Sequence, residues 1–157
     1  MKKVLSIAGS DPSGGAGIQA DIKTISAHRM YAMSVETALT VQNTMGVHEV
    51  FGIPADFVKK QLEYVLEDIP PDAVKIGMLF SADTISCIAE TLDKFGAKNI
   101  VLDPVMLSTS GKRLLDETAE SILIKKLFPL SDLVTPNIHE AEKISGIKIN
   151  SIEDIKK

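Results

Sequence analysis

Short apolar runs alternate along the chain with longer stretches whose apolar residues recur every three or four positions. Val4 to Ala8 predicts a strand that runs into a glycine-rich turn, Gly9 to Gly17. Ile18, Ile22 and Ile25 then fall at helical spacing, which predicts a helix over Ile18 to Ala27. Ser34 to Val41 reads as one extended run. Pro54 suits a helix start, and Phe57, Val58, Leu62, Val65 and Leu66 form one apolar face before Pro70-Pro71 break it. Ala73 to Leu79 is the next predicted strand, and Ser81 to Phe95 the next helix, stopped by Gly96. Four further segments repeat the alternation. Asn99 to Leu102 is a strand, Leu114 to Leu127 a helix closed by Pro129, and Asp132 to Thr135 a strand. Ile138 to Ile144 is a helix that ends at Gly146.

Alternation of this kind predicts an α/β fold with a mostly parallel central sheet and helices on both faces. Ile100-Val101-Leu102 lacks polar alternation, as a strand covered on both sides should. Ligands of such sheets bind beyond the carboxyl ends of the strands. The unusual residues cluster at those ends: Gly9 to Gly17, Gly77-Met78, Asp103-Pro104 and Pro136-Asn137. Ser151 and Asp154 have the spacing of a capping box, which announces one more helix with only Ile155-Lys156-Lys157 after it.

Composition narrows the class. The chain has 157 residues, 45% hydrophobic and 24% charged, which fits one globular domain. Its 17 Lys and Arg against 21 Asp and Glu leave a net charge of −4 without a basic block, so a nucleic-acid or anionic-membrane partner has no electrostatic footprint. Met1-Lys2-Lys3 is not followed by a secretory apolar run, because Ser6, Ser10 and Asp11 interrupt it. The single cysteine, Cys87, cannot form an internal disulfide, and a reducing cytoplasm is the expected compartment.

Five groups of residues could carry chemistry. Gly9 to Gly17 holds four glycines between a strand and a helix, so its backbone can approach a ligand while the helix N-terminus favours an anion or acceptor. Gly15 to Ala20 fits the G-x-G-x-x-A dinucleotide pattern only weakly, because its glycines sit about six residues after the strand, and Gly111-Lys112-Arg113 is not a phosphate P-loop. Asp21 is either a carboxylate aimed into a pocket or an acid favoured by the helix dipole. Gln42, at the end of a strand, offers an acceptor and two donors to a heterocycle edge, or is an ordinary loop amide. Asp103 suits Mg²⁺ or phosphate chemistry, or an Asx turn before Pro104. Asn137 and Glu140 have N-cap and N3 spacing, which explains them structurally, although a Glu there could also order a metal's water shell. Cys87 has no His beside it on its helix and reads as a structural thiol.

Taken together, these segments resemble the hydroxymethylpyrimidine/phosphomethylpyrimidine kinases, the thiamine-pathway branch of the ribokinase superfamily. The run Gly9-Ser10-Asp11-Pro12-Ser13-Gly14-Gly15-Ala16-Gly17 through Asp21 is similar to that family's opening signature. Thr37 to Thr44, Lys75 to Leu79, Asp103 to Met106 and Thr135 to Glu142 follow in the family's order. The resemblance implies a ribokinase-like domain and ATP- and Mg²⁺-dependent phosphorylation of 4-amino-5-hydroxymethyl-2-methylpyrimidine, then of its monophosphate. By position it implies Gln42 and Asp21 on the pyrimidine's polar edge, and Gly9, Ala16, Met78 and Val105 around it. It places Asp103 and Glu140 near Mg²⁺ and Asn137 on the nucleotide, and it implies a homodimer. One part of the pattern has no match. The family's later Gly-Thr-Gly-Cys-type loop supplies an anion hole and the catalytic base, and after Gly111 only Gly146 remains here. The expectation is therefore a C-terminally truncated chain, residues 1–157 forming the substrate-binding part of one domain, with the base beyond Lys157. The alternatives are a pyridoxal kinase-like enzyme and a non-catalytic pyrimidine-binding module.

Overall fold

Apolar runs long enough for one strand, separated by helices of two to four turns, can bury both faces only in a layered sheet. The computed structural model, which describes residues 1–106, 115 and 117–156, has that architecture. Strands β1 (Lys3–Ala8), β2 (Tyr31–Glu36), β5 (Ala73–Ile76), β6 (Ile100–Leu102) and β7 (Leu133–Val134) form a parallel sheet in the order β2-β1-β5-β6-β7. Helices α1 (Gly17–Ala27), α2 (Ala55–Asp68), α3 (Ala82–Lys94), α4 (Glu117–Ile122), α5 (Ile138–Ser145) and α6 (Ile152–Ile155) flank or follow it. Leu5, Ile7, Val74, Ile76 and Leu102 from the sheet meet Val58 and Leu62 of α2 and Ile85, Ile88 and Leu92 of α3 in the main core. Ile18 and Ile25 of α1 are buried outside that cluster. Among the described residues no helix is long and apolar enough to cross a membrane.

Two expectations change. The extended run Ser34 to Val41 is two strands in two sheets. β2 ends at Glu36, and β3 (Ala38–Asn43) pairs antiparallel with β4 (Gly46–Gly52), a segment with no prediction above. The turn between them is at Thr37, which is fully buried: its N–H donates to the Ala8 carbonyl at 3.0 Å and its hydroxyl to the Met78 carbonyl at 2.6 Å. A buried polar pivot with both groups satisfied redirects the chain where β-propensity alone continues it. The strand expected over Ala73 to Leu79 ends at Ile76, and Phe80 takes a positive φ of 72°.

Helix α4 continues as a π-helical turn over Leu123–Leu127 and a 3-10 turn over Phe128–Leu130, so Pro129 lies inside the helical stretch and not just past it. The expected start of this helix at Leu114, and Gly111-Lys112-Arg113, lie outside the described residues. Helix α5 carries the expected capping box: Asn137 Oδ1 accepts the Glu140 N–H at 3.0 Å and Glu140 Oε2 accepts the Asn137 N–H at 2.9 Å. Asp154 likewise accepts the Ser151 N–H at 3.1 Å ahead of α6.

Candidate active site

The carboxyl ends of β1, β5 and β6 point to one side of the sheet, and the β3–β4 hairpin rises beside them. Between them lies an open cavity of about 650 Å³. Gly9, Ala16, Gln42, Met78, Asp103 and Val105, from four separate stretches of sequence, all line it. The hairpin is tied to the first loop at this wall. The Ser10 N–H donates to the Ala38 carbonyl at 2.8 Å, and the Thr40 hydroxyl donates to the Ser10 carbonyl at 2.8 Å. The Thr40 hydroxyl also lies 3.2 Å from Gln42 Oε1, at the irregularity between Val41 and Gln42 in the hairpin register. Gln42 therefore presents its amide from a pinned strand.

Inside the glycine-rich loop the Ser13, Gly15 and Ala16 amides already have an acceptor. Asp11, almost fully buried, supplies it. Its carboxylate accepts the Ser13 N–H at 2.9 Å and hydroxyl at 2.7 Å, and the Gly15 and Ala16 N–H groups at 3.1 and 2.8 Å. Burial raises the Asp11 pKa, but these bonds from Ser13, Ala16 and Gly15 outweigh it and hold the carboxyl below its ordinary value. These amides lie just ahead of α1, whose own first turn carries no acidic side chain and no side-chain cap. Gly17 closes the loop with φ +56°, where a Cβ would stand 2.3 Å from the Gly9 carbonyl oxygen.

Asp21 does not line the cavity. It is held below the floor, where Oδ2 accepts the Ser6 hydroxyl at 2.6 Å and meets Lys75 Nζ at 2.9 Å. Lys75 lines the cavity. No role was assigned to this lysine from sequence, although a signal exists: it is a lone cation on β5, between the buried Val74 and Ile76.

Asp103 follows β6 into the cavity wall, and among the described residues no hydrogen bond reaches its carboxylate. Burial pushes its pKa up; Lys75 opposes this, and the carboxylates of Glu140 and Asp21 reinforce it. Glu140 is buried behind the wall, with Oε2 on the Asn137 N–H and Oε1 3.5 Å from the Met106 N–H. Asn137 is exposed. Neither Asn137 nor Glu140 lines this cavity. Among the described residues no three His, Cys, Asp or Glu side chains gather as a metal-ligand set.

A parallel α/β sheet with an open cavity at its carboxyl ends, walled by a hairpin and carrying an acidic residue after β6, is a ribokinase-like arrangement. The chain belongs to the phosphomethylpyrimidine kinase family, whose model matches residues 11–157. It is 52% identical over 153 residues to a thiamine biosynthesis bifunctional protein of Geobacter sulfurreducens, covering 98% of this chain and 31% of that protein. It is 46% identical over 155 residues to a hydroxymethylpyrimidine/phosphomethylpyrimidine kinase of Bacillus subtilis, covering 99% of this chain and 57% of that protein. The fold superposes on a crystal structure of phosphomethylpyrimidine kinase from Clostridium difficile with TM-score 0.93 and 55% identity, over 99% of this chain and 68% of that one. It also superposes on Staphylococcus aureus pyridoxal kinase in complex with AMP-PCP and pyridoxal, with TM-score 0.85 and 42% identity, over 99% of this chain and 56% of that one. The chain thus spans between about a third and three fifths of the two curated relatives.

Proposed function

We propose that this chain carries the pyrimidine-binding part of an ATP-dependent kinase of thiamine biosynthesis. The substrates are 4-amino-5-hydroxymethyl-2-methylpyrimidine and then its monophosphate. The observation that carries the reading is the convergence of Gln42, Met78, Val105, Gly9, Ala16 and Asp103 on one cavity. An amide donor–acceptor pair suits the polar edge of an aminopyrimidine. Met78, Val105, Ala16 and the bare backbone of Gly9 supply a flat apolar surround for its ring. The kinase names of the relatives, and the AMP-PCP complex of the pyridoxal kinase, support ATP as the phosphoryl donor.

The donor set at Asp103 fits Mg²⁺. It is an oxygen ligand whose charge is disfavoured by burial and by two neighbouring carboxylates, so a divalent cation would relieve it. A single carboxylate also matches an ion that keeps several waters and takes the rest of its ligands from phosphate. Asp103 would hold the ion directly, and Glu140 would act behind it through its water shell. When bound, Mg²⁺ supplies charge neutralisation on the transferring phosphates. Asn137 would meet the nucleotide with its Nδ2 donors, because Oδ1 is committed to the helix cap. The setting proposed is cytoplasmic, and the assembly a homodimer.

Titration calorimetry with the pyrimidine and with pyridoxal tests the reading. Tighter binding of the pyrimidine, weakened about tenfold by Gln42→Ala as expected for lost hydrogen bonds, supports it. Equal affinities, or no effect of Gln42→Ala, would remove it in favour of the pyridoxal kinase-like reading.

A further inference from the structure

We propose that Lys75, and not Asp21, is the charged group that meets the bound heterocycle. Its ammonium donates a hydrogen bond to a neutral acceptor atom of the ligand, while Asp21 and Ser6 hold it in place from behind. The inference rests on the pyrimidine-site reading above and deepens it.

Four observations carry it. Lys75 is part of the cavity lining and Asp21 is not. The ammonium has three donors, and within the described structure one is used, on Asp21 Oδ2 at 2.9 Å. The same Asp21 oxygen accepts the Ser6 hydroxyl at 2.6 Å, and Ser6 is fully buried, so the anchor is fixed from below. Above the anchor the space for the ammonium is kept open by Gly77, where a Cβ would stand 3.0 Å from Lys75 Nζ and 3.2 Å from the Ala8 Cβ. Gly77 needs no positive φ, so its lack of a side chain serves clearance. Lys75 stands between the buried Val74 and Ile76 on β5, with its side chain 29% exposed.

The charge of the partners decides what kind of acceptor fits. Lys75 pairs with Asp21 and also acts on Asp103. Two carboxylates against one ammonium leave no surplus positive charge for a free anion. The remaining N–H groups still need acceptors once water is displaced, because an unfilled buried donor is costly. A ring nitrogen or a hydroxyl oxygen satisfies them without adding negative charge.

The test is calorimetry on the full chain with 4-amino-5-hydroxymethyl-2-methylpyrimidine and a set of analogues. Each analogue lacks one acceptor, either with CH in place of a ring nitrogen or with methyl in place of hydroxymethyl. Lys75→Met is expected to weaken the parent compound about tenfold or more, the range for a lost charged hydrogen bond. One analogue should lose a similar factor against the natural chain and nothing further against Lys75→Met. Such coupling is not produced by a merely structural lysine. Asp21→Asn, which keeps an acceptor for both Ser6 and Lys75 but loses the ion pair, should weaken binding less than Lys75→Met and keep the same analogue coupling. If Lys75→Met does not fold, the double variant Lys75→Met/Asp21→Asn removes the stranded carboxylate and replaces it throughout. Absence of coupling with every analogue, or a larger loss in Asp21→Asn than in the lysine variant, overturns the proposal. A natural chain that binds no pyrimidine at all would instead remove the site reading, and this inference with it.

Discussion

The Asp11 carboxylate accepts the Ala16 N–H at 2.8 Å and so ties the glycine-rich loop together directly ahead of α1. This contact organises the loop that opens the cavity, and its removal should be felt as stability before function. Asp11→Asn replaces one acceptor oxygen by an amide that faces N–H donors, at a cost of about 1–3 kcal/mol. For a chain of this size that corresponds to a melting temperature lower by roughly 3–10 °C. The pH dependence has a definite sign. A carboxyl whose folded pKa is depressed stabilises the fold above its unfolded value, ordinarily about 3.8, and that contribution disappears as pH falls through the lower folded value. Urea melts from pH 7 to pH 2.5 should therefore show the natural chain and Asp11→Asn converging only in the acid range. A constant gap across that range would contradict the role given to Asp11.

Gly17 and Gly96 share a positive φ, +56° and +62°, but not the same surroundings. Gly17→Ala would drive a Cβ to 2.3 Å from the Gly9 carbonyl oxygen, whereas a Cβ on Gly96 meets nothing within 4 Å. Gly96→Ala should cost about 1 kcal/mol of backbone strain. Gly17→Ala should cost several times as much, because backbone must move, and should also abolish ligand binding. Thermal melts of the two variants side by side decide this. Equal costs would show that the Gly9–Gly17 contact does not constrain the loop.

A Cβ on Gly9 would lie 3.1 Å from Met78 Sδ, tight but against the end of a flexible side chain. Gly9→Ala is therefore expected to fold with a melting temperature close to the natural chain while displacing Met78 into the cavity. Pyrimidine affinity should fall about tenfold. Calorimetry and a thermal melt on the same sample separate the two effects, and a large stability loss with normal affinity would contradict the pocket assignment.

Cys87 is half-buried on α3, with its thiol 3.2 Å from the Thr84 carbonyl and 3.4 Å from the Ala55 carbonyl. Burial, reinforced by Glu90, raises its pKa above that of an ordinary cysteine. Since the thiolate is the reactive form, alkylation by iodoacetamide at pH 8 should be slower than for a small free thiol. It should accelerate in denaturant, and Cys87→Ala should leave pyrimidine affinity unchanged. Fast labelling of the native chain would place the thiol in a different environment.

Much of this was legible in the order of residues. The period of the apolar positions is local, so β1, α1, α2, α3, β6 and α5 could be read from it with their boundaries nearly in place. The cap at Asn137–Glu140 was legible for the same reason, since its partners are three residues apart. The family motifs marked Gln42, Met78, Val105 and Asp103, which the fold brings to one cavity. Three features were not legible: two depended on contacts between distant parts of the chain, and one on burial. The split of Ser34 to Val41 into two sheets rests on Thr37 bonding to Ala8 and Met78, the latter 41 residues away. The internal use of the glycine-rich loop by Asp11 rests on a burial that composition does not show. The presence of Lys75, and not Asp21, in the cavity lining accompanies an ion pair across 54 residues. Local pattern carries periodicity and caps because their energetics are local. Which of two charged groups reaches the cavity, and which stays behind as its anchor, is settled only when β1, α1 and β5 pack together.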